Sequence, residues 1–145
     1  IYGMEYGTKI HNVFERIDYH KPIDRDYIKT LDDSLSDSAI DAILYFTKHD
    51  LIAYLKPDKI YQEYSYYYKD NDDIYHGFMD FVYLGDEEIL LCDYKTDIDV
   101  DEEELHKRYD AQQLSYVEAL HKMYPNKEIK AYIYSLDLKQ FFEVK

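Results

Sequence analysis

The 145-residue sequence predicts an α/β fold in which a mixed central sheet is flanked by helices. Apolar residues with helical spacing dominate the first third of the chain, and alternating Tyr, Ile and Val residues follow. A further helical pattern then separates two last strand patterns. A chain of this length can bury one sizeable core. We therefore expect a single domain over residues 1–145, in the order helices, three strands, a helix and two strands.

The first predicted helix begins with Thr8 as its N-cap and ends at about residue 18. Its apolar face consists of residues at helical spacing, namely Ile10, Val13, Phe14 and Ile17. A looser stretch around Pro22 follows. A second helix begins at Asp37 or Ser38, and Pro57 ends that region.

Three strands are predicted at about 59–69, 74–84 and 88–95, and they form an antiparallel meander. The acidic run at 99–104 precedes a helix, where negative charge interacts favourably with the helix dipole. The last two strands are predicted at 129–136 and 140–144.

The single cysteine, Cys92, excludes an intramolecular disulfide and a four-cysteine iron–sulfur cluster or zinc site within this sequence. It favours a reducing, cytoplasmic location. We find no signal peptide and no apolar run long enough to cross a bilayer, so the sequence predicts a soluble protein.

Three polar residues occur in otherwise apolar strands, in the segments Gly77-Phe-Met-Asp80 and Ile89-Leu-Leu-Cys-Asp93-Tyr-Lys95-Thr96. Side chains alternate along a strand, so Asp93 and Lys95 face the same side of the sheet. A tight turn at residues 85–88 places Asp80 directly opposite Asp93. Opposed residues have Cβ atoms about 4.5–5.5 Å apart.

Two carboxylates at that separation repel each other unless a proton or a cation lies between them. A divalent metal with hard oxygen ligands, Mg²⁺ or Mn²⁺, satisfies this requirement. Lys95 reaches the same point, where its charge can orient a water molecule or offset charge on a phosphate. The alternative is that Asp80 and Asp93 lie on a solvated sheet face and that Lys95 pairs with one of them.

The order of Asp80, Asp93 and Lys95 resembles the core of the PD-(D/E)XK nucleases, with Asp in place of the commoner Glu in the third acidic position. The segment Gly7-Thr-Lys-Ile-His11-Asn-Val-Phe-Glu15 resembles the helical motif of the RecB-like branch, whose histidine binds metal. The segment Tyr109-Asp-Ala-Gln112-Gln-Leu-Ser-Tyr116 resembles the Gln-x-x-x-Tyr motif of the same branch. All these motifs occur in the order found in the family.

The resemblance implies a restriction-endonuclease-like (PD-(D/E)XK) fold and a Mg²⁺-dependent deoxyribonuclease, with Mn²⁺ as a possible substitute. It implies metal ligation by His11, Asp80, Asp93 and the carbonyl of Tyr94, with Lys95 as a catalytic residue. It also implies DNA contact through Gln112 and Tyr116. Taken singly, a histidine such as His11 is more often a core or boundary residue, and a Gln–Tyr pair usually reflects packing or surface hydrogen bonding.

Two glutamates are further candidates for the surroundings of the site. Glu63 matches a position where many relatives carry glutamate, on the strand before the Asp80 hairpin. Glu15, one helical turn from His11, can orient the imidazole. For both residues, an exposed surface glutamate is the alternative interpretation.

The closing segment, residues 131–142, resembles the last strands of the AddA (RexA) branch of AddAB-type helicase-nucleases. That resemblance implies a C-terminal nuclease domain of a longer chain that processes DNA double-strand breaks for recombinational repair. It further implies helicase domains in the parent chain, an AddB-type partner, and a single DNA strand delivered by the helicase. The sequence contains no GxxxxGK[ST] phosphate loop, so an ATP-driven motor has to lie outside these residues.

The formal net charge of −14 opposes a nucleic-acid function, because phosphate binding normally relies on Lys and Arg. Carboxylates that bind metal ions, and basic surfaces on other parts of a parent chain, reconcile the two. Two other hypotheses remain: a nuclease-like domain used for binding or assembly without catalysis, and a free-standing phage or repair exonuclease.

Overall fold

The computed structural model describes residues 2–145, and its elements follow the predicted order. The first part is helical: α1 (Tyr2–Arg16), α2 (Arg25–Leu31), α3 (Asp37–Lys48), the short α4 (Asp50–Ala53) and a 3₁₀ turn at Pro57–Lys59. The remainder comprises β1 (Ile60–Asp70), β2 (Asp73–Leu84), β3 (Glu88–Lys95), α5 (Glu102–Met123), β4 (Glu128–Ser135) and β5 (Gln140–Val144).

The five strands form one mixed sheet in the order β1-β2-β3-β4-β5. The pairs β1–β2, β2–β3 and β4–β5 are antiparallel, whereas β3 and β4 are parallel. Two parallel neighbours cannot be joined by a hairpin, and here α5 forms the crossover between them. The predicted meander and the predicted mixed sheet flanked by helices are both confirmed.

The two faces of the sheet bury different cores. On one face, α1 to α4 and alternate strand residues form what we call the aromatic core, which includes the fully buried Phe14, Phe46 and Phe81. On the other face, Leu120 and neighbouring residues of α5 pack on the sheet in a smaller α5 core that includes Leu91. Strand β3 is buried on both faces, as expected for a central strand.

The prediction for the start of α1 is wrong. The helix begins at Tyr2, so Thr8 is an exposed residue inside it rather than its N-cap. No proline interrupts residues 2–7, Glu5 lies in the first turn, and Tyr6 packs against the aromatic core. These features extend the helix by more than one turn at its N-terminus. Its last residue, Arg16, lies close to the predicted end.

Helix α2 lies in the looser stretch that follows Pro22, where the sequence predicts no helix. Asp24 caps it by accepting a hydrogen bond from the backbone N–H of Tyr27, and Ile28 is its one buried residue. One buried residue in seven gives no periodic signal, which is why the pattern did not indicate this helix. The next helix begins at Asp37 as predicted, with Ser36 as its N-cap.

The crossover helix α5 begins within the acidic run, at Glu102. The side chain of Asp101 accepts a hydrogen bond from the backbone N–H of Glu104 at 2.9 Å, and three glutamates lie in the first turn. Charge and capping therefore act together at this N-terminus. Among residues 2–145, no helix has both the length and the apolar character that a membrane span requires.

Candidate active site

The hairpin of β2 and β3 has the register predicted from its turn. Phe81 pairs with Cys92 and Leu84 pairs with Ile89, so Asp80 and Asp93 are the next opposed positions after the paired segment. In the turn, the backbone N–H of Gly85 donates to the carbonyl of Glu88 at 2.9 Å. A Cβ atom at Gly85 would lie 2.8 Å from that same oxygen, so glycine is required there.

Asp80 also has an acidic neighbour on its other side. Gln62 pairs with Phe81 and Tyr64 pairs with Met79. Glu63 therefore lies opposite Asp80, although these two residues do not form a regular strand pair. Glu63 has a φ of 50°, a left-handed conformation that costs a non-glycine residue about 1–2 kcal/mol. A row of three carboxylates, Glu63, Asp80 and Asp93, thus crosses three adjacent strands.

The same row marks a change of face in strand β2. Met79 belongs to the α5 core and Phe81 to the aromatic core, although residues two apart on a regular strand share a face. The change occurs at Asp80, beside the left-handed Glu63. Irregular backbone of this kind is frequent at functional sites, where the surrounding structure maintains it.

Asp80 and Asp93 each make close polar contacts with neighbouring residues of the cluster. One oxygen of Asp80, Oδ2, lies 3.1 Å from Nε2 of His11 and accepts the backbone N–H of Tyr94 at 3.0 Å. Lys95 Nζ lies 2.8 Å from Oδ2 of Asp93. The Asp93 side chain is only 7% exposed, whereas the His11 side chain is 33% exposed, so the imidazole forms the solvent side of the cluster.

The two aspartates have opposite protonation tendencies. Burial, the hydrogen bond with Asp80 and the charge of Asp80 raise the pKa of Asp93 to about 8. Burial alone would raise the pKa of Asp80 as well, but hydrogen bonds from His11 and Asp93 lower it below its ordinary value. At neutral pH the pair therefore shares one proton when no metal ion is bound.

His11 is held from both ring nitrogens. Nδ1 lies 2.8 Å from the carbonyl oxygen of Gly7, one turn earlier in α1, and Nε2 contacts Asp80. The hydrogen bond to Asp80 raises the pKa of His11 to about 9 against the opposing effect of burial, so the protonated ring donates to both oxygens. The partner that orients His11 in this structure is Gly7 rather than Glu15, which is exposed on α1.

Glu63 and Glu15 are nevertheless electrostatically close to this cluster. Burial and the charges of Asp80 and Glu15 raise the pKa of Glu63, while His11 lowers it. Glu63 thus belongs to the acidic row, whereas Glu15 acts on it from the surface.

Both motif residues of α5 lie at the site. Gln112 Oε1 accepts a hydrogen bond from Lys95 Nζ at 3.2 Å. Tyr116 packs edge-on against Tyr66, and burial together with Asp93, Tyr66 and Asp80 raises its pKa to about 12. The structure therefore brings the predicted residues Asp80, Asp93, Lys95, Gln112 and Tyr116 together beneath α5, with His11 reaching the cluster from α1.

Two residues at the site were missed by sequence reasoning. The ring centroid of Tyr109 lies 4.0 Å from Lys95 Nζ, and the hydroxyl of Tyr109 contacts both oxygens of Asp97. The available signals were the spacing of Tyr109, three residues before Gln112 on one helix face, and the position of Asp97 two residues after Lys95.

The donor set fits a hard divalent cation in its chemistry. The two facing carboxylates of Asp80 and Asp93 offer the oxygen ligands that Mg²⁺ prefers, and Mg²⁺ commonly keeps several waters. Within residues 2–145, no group of three or more His, Cys, Asp or Glu side chains is arranged to hold a metal ion. The candidate ligands instead bond to one another, so a cation would replace the shared proton and take further oxygens from water, backbone or substrate.

Fold and site together define an α/β domain with a paired-carboxylate and lysine cluster under its crossover helix. No family model matches the chain. It is similar to the A-type subunit of the ATP-dependent helicase/nuclease of Clostridium botulinum, with 31% identity over 97% of this chain and 14% of the relative. The corresponding subunits of Lactiplantibacillus plantarum and Oenococcus oeni are 28% and 29% identical over 98% and 88% of this chain, and over 14% and 13% of their own lengths.

The chain thus spans about one seventh of the length of these relatives, since it covers 14% of the first two. The similarity supports a relationship to one region of the A-type helicase/nuclease subunits. The similarity therefore supports the predicted resemblance to the AddA-type subunits. It does not by itself identify this region as their nuclease domain.

Proposed function

We propose that the chain is a metal-dependent DNA nuclease domain of the RecB-like PD-(D/E)XK type. The observation that carries the proposal is the position of Asp80 and Asp93 at facing points of β2 and β3, with Lys95 bonded to Asp93. The relatives are named as subunits of an ATP-dependent helicase/nuclease, which supports the same class of activity. The parent protein would be a helicase-nuclease that processes DNA double-strand breaks for recombinational repair, in the cytoplasm and with an AddB-type partner.

In this proposal Asp80, Asp93, His11 and the Tyr94 carbonyl would hold Mg²⁺ or Mn²⁺, with Glu63 beside them. A bound ion of this kind would polarise the scissile phosphate and lower the pKa of a bound water molecule. Ligation requires Asp93 and His11 to release their protons, so metal affinity rises with pH. The Gly7 carbonyl fixes the orientation of the imidazole, as hydrogen-bond partners of metal-binding histidines generally do.

Lys95 is the only cationic side chain in direct contact with Asp93 among the described ion pairs. Its ammonium group is positioned to hold the attacking water or to offset negative charge that develops on the phosphate. Gln112 and Tyr116, on the same face of α5, would contact the DNA strand. Because the net charge of this chain is −14, the proposal requires basic surfaces elsewhere in the parent chain to bring the strand to this site.

The test is cleavage of labelled single- and double-stranded DNA at low salt, with Mg²⁺, Mn²⁺ or EDTA. Wild type is compared with Asp93→Asn and Lys95→Ala, and Asp26→Asn, an exposed carboxylate of α2, is the matched control. We expect products that need metal, that disappear in both site variants and that persist in the control. Equal cleavage by wild type and Asp93→Asn would contradict the proposal. Absence of cleavage together with absence of Mn²⁺ binding would favour an assembly domain.

A further inference from the structure

The ammonium group of Lys95 has a third partner besides Asp93 and Gln112. Its Nζ atom lies 4.0 Å from the ring centroid of Tyr109, within the range of a cation–π interaction. Asp93 and Gln112 lie at the predicted site, whereas the motifs assign no role to Tyr109. The lysine is thus bounded by a carboxylate, an amide oxygen and an aromatic face.

Tyr109 is itself fixed by a second layer of contacts. Its hydroxyl lies 2.9 and 2.8 Å from the two oxygens of Asp97, in the loop that follows β3. Asp97 also pairs with Arg108 at 2.7 Å, and Arg108 contacts Glu104 at 3.2 Å. These contacts connect α5 to the loop directly after Lys95 and leave the Asp97 side chain only 14% exposed.

The hydrogen bond and the cation–π contact reinforce each other. A phenol that donates to a carboxylate becomes more electron-rich, which strengthens the attraction of its ring for a cation. Burial and Asp97 raise the pKa of Tyr109, so the hydroxyl remains a donor at neutral pH. Lys95 is only 16% exposed, so water competes weakly with the ring for the ammonium group.

We propose that Tyr109, held by Asp97, is a positioning residue that fixes the Lys95 ammonium at the candidate active site. A lysine side chain has four flexible carbons, so a single bond to Asp93 does not fix the direction from which the Lys95 ammonium group approaches. The ring closes the side that Asp93 and Gln112 leave open. The catalytic consequence rests on the proposed nuclease function, whereas the positioning of Lys95 is testable without it.

The kinetic test compares Tyr109→Leu, which removes the ring, with Tyr109→Phe, which keeps the ring and removes the bond to Asp97. We expect kcat for DNA cleavage to fall roughly 10- to 30-fold in Tyr109→Leu and about threefold in Tyr109→Phe. KM for DNA and Mn²⁺ affinity should stay within about twofold of wild type, because the metal ligands are intact. The matched control is Tyr124→Leu, which removes a similar contact between Tyr124 and Lys127 at the end of α5 and should keep the wild-type kcat.

A wild-type kcat in Tyr109→Leu would overturn the proposal. So would a loss of kcat that is accompanied by an equal loss of Mn²⁺ affinity, or that Tyr109→Phe does not partly restore. Those results would assign Tyr109 to the stability of the domain instead.

A second measurement separates this proposal from the nuclease assignment. Nitrogen-15 relaxation of the lysine ammonium groups reports how ordered the Lys95 side chain is, and this measurement does not require the protein to cleave DNA. We expect Lys95 to be more ordered than the exposed Lys107 in wild type and to approach Lys107 in Tyr109→Leu. If wild type neither cleaves DNA nor binds Mn²⁺ but Lys95 behaves in this way, the nuclease proposal fails and the positioning stands. If Lys95 is already as mobile as Lys107 in wild type, the positioning fails whether or not DNA is cleaved.

Discussion

The two faces of the sheet differ in how completely they are closed. Strand β3 sends Leu90, Cys92 and Tyr94 into the aromatic core up to its end, and all three are buried. On the opposite face, the apolar series stops at Leu91 and continues as Asp93 and Lys95. One strand thus provides a closed hydrophobic wall on one side and a polar cluster on the other.

The closed face supports the polar one through a few defined contacts. The Tyr94 ring stacks on Phe14 at 3.8 Å and meets Phe46 edge-on, while its backbone N–H holds Asp80. His11 extends from α1, the helix that carries Phe14, to the same carboxylate. The closely packed aromatic side thus fixes the positions of charged groups that would otherwise repel each other.

The largest expected effect is a loss of folding stability when a side chain of the aromatic core is truncated. Phe46 is fully buried and contacts Phe14, Phe81, Tyr94 and Tyr134, so Phe46→Ala should destabilise the domain by about 3–5 kcal/mol. Urea unfolding measures this change. Tyr45→Ala, at the adjacent and half-exposed position, is the control and should cost far less. Similar losses in the two variants would mean that the aromatic face is not the rigid one.

A smaller effect is expected when one hydroxyl is removed from the same core. The buried Tyr134 donates to the carbonyl oxygen of Ala42 at 2.6 Å, which ties β4 to α3. Tyr134→Phe leaves that carbonyl without its partner and should cost about 1–2 kcal/mol in urea unfolding. An unchanged midpoint would show that packing alone holds α3 on the sheet.

The polar face should make the stability of the fold depend on pH, whereas the aromatic face should not. The folded-state pKa of Asp93 is raised to about 8, above its ordinary value, so Asp93 stabilises the metal-free fold fully only at low pH. This contribution is lost as the pH rises from about 4 through about 8. Urea midpoints of Asp93→Asn should therefore fall less than those of wild type across this interval. Parallel curves for the two proteins would contradict the shared-proton account.

The smallest expected effect concerns the left-handed residue in the acidic row. Glycine adopts this conformation without strain, so Glu63→Gly should stabilise the fold by up to about 1 kcal/mol while weakening Mn²⁺ binding. Lys139 in the β4–β5 turn has a similar φ of 53° and provides a matched control. Lys139→Gly should give the same gain without any change in Mn²⁺ affinity. If Glu63→Gly also leaves Mn²⁺ affinity unchanged, Glu63 has no part in the site.

Local patterns predicted most of the architecture. The strand bounds and the β2–β3 register followed from alternation and from the turn at Gly85, because both are determined within a few residues. The early start of α1 depends on packing of Tyr6 against the core, which periodicity from Ile10 onward does not contain. Helix α2 depends on one cap and one buried residue, and its sequence resembles a loop.

The site was predictable as a set of residue types but not as a network. The opposition of Asp80 and Asp93 followed from strand register, and Lys95 followed from alternation. The left-handed backbone of Glu63 carries no glycine signal, so only the folded chain discloses it. The contact between Asp97 and Tyr109 joins a loop to a helix, and spacing in the sequence does not determine such contacts.

Calorimetry of Mn²⁺ binding to wild type, Asp93→Asn and Asp26→Asn at pH 7 and pH 8 tests the metal site most directly. We expect wild type to bind Mn²⁺ with release of protons and with higher affinity at pH 8. We expect binding to be lost in Asp93→Asn and retained in Asp26→Asn. Equal Mn²⁺ affinity in wild type and Asp93→Asn would contradict the claim that the Asp80–Asp93 pair is a metal site.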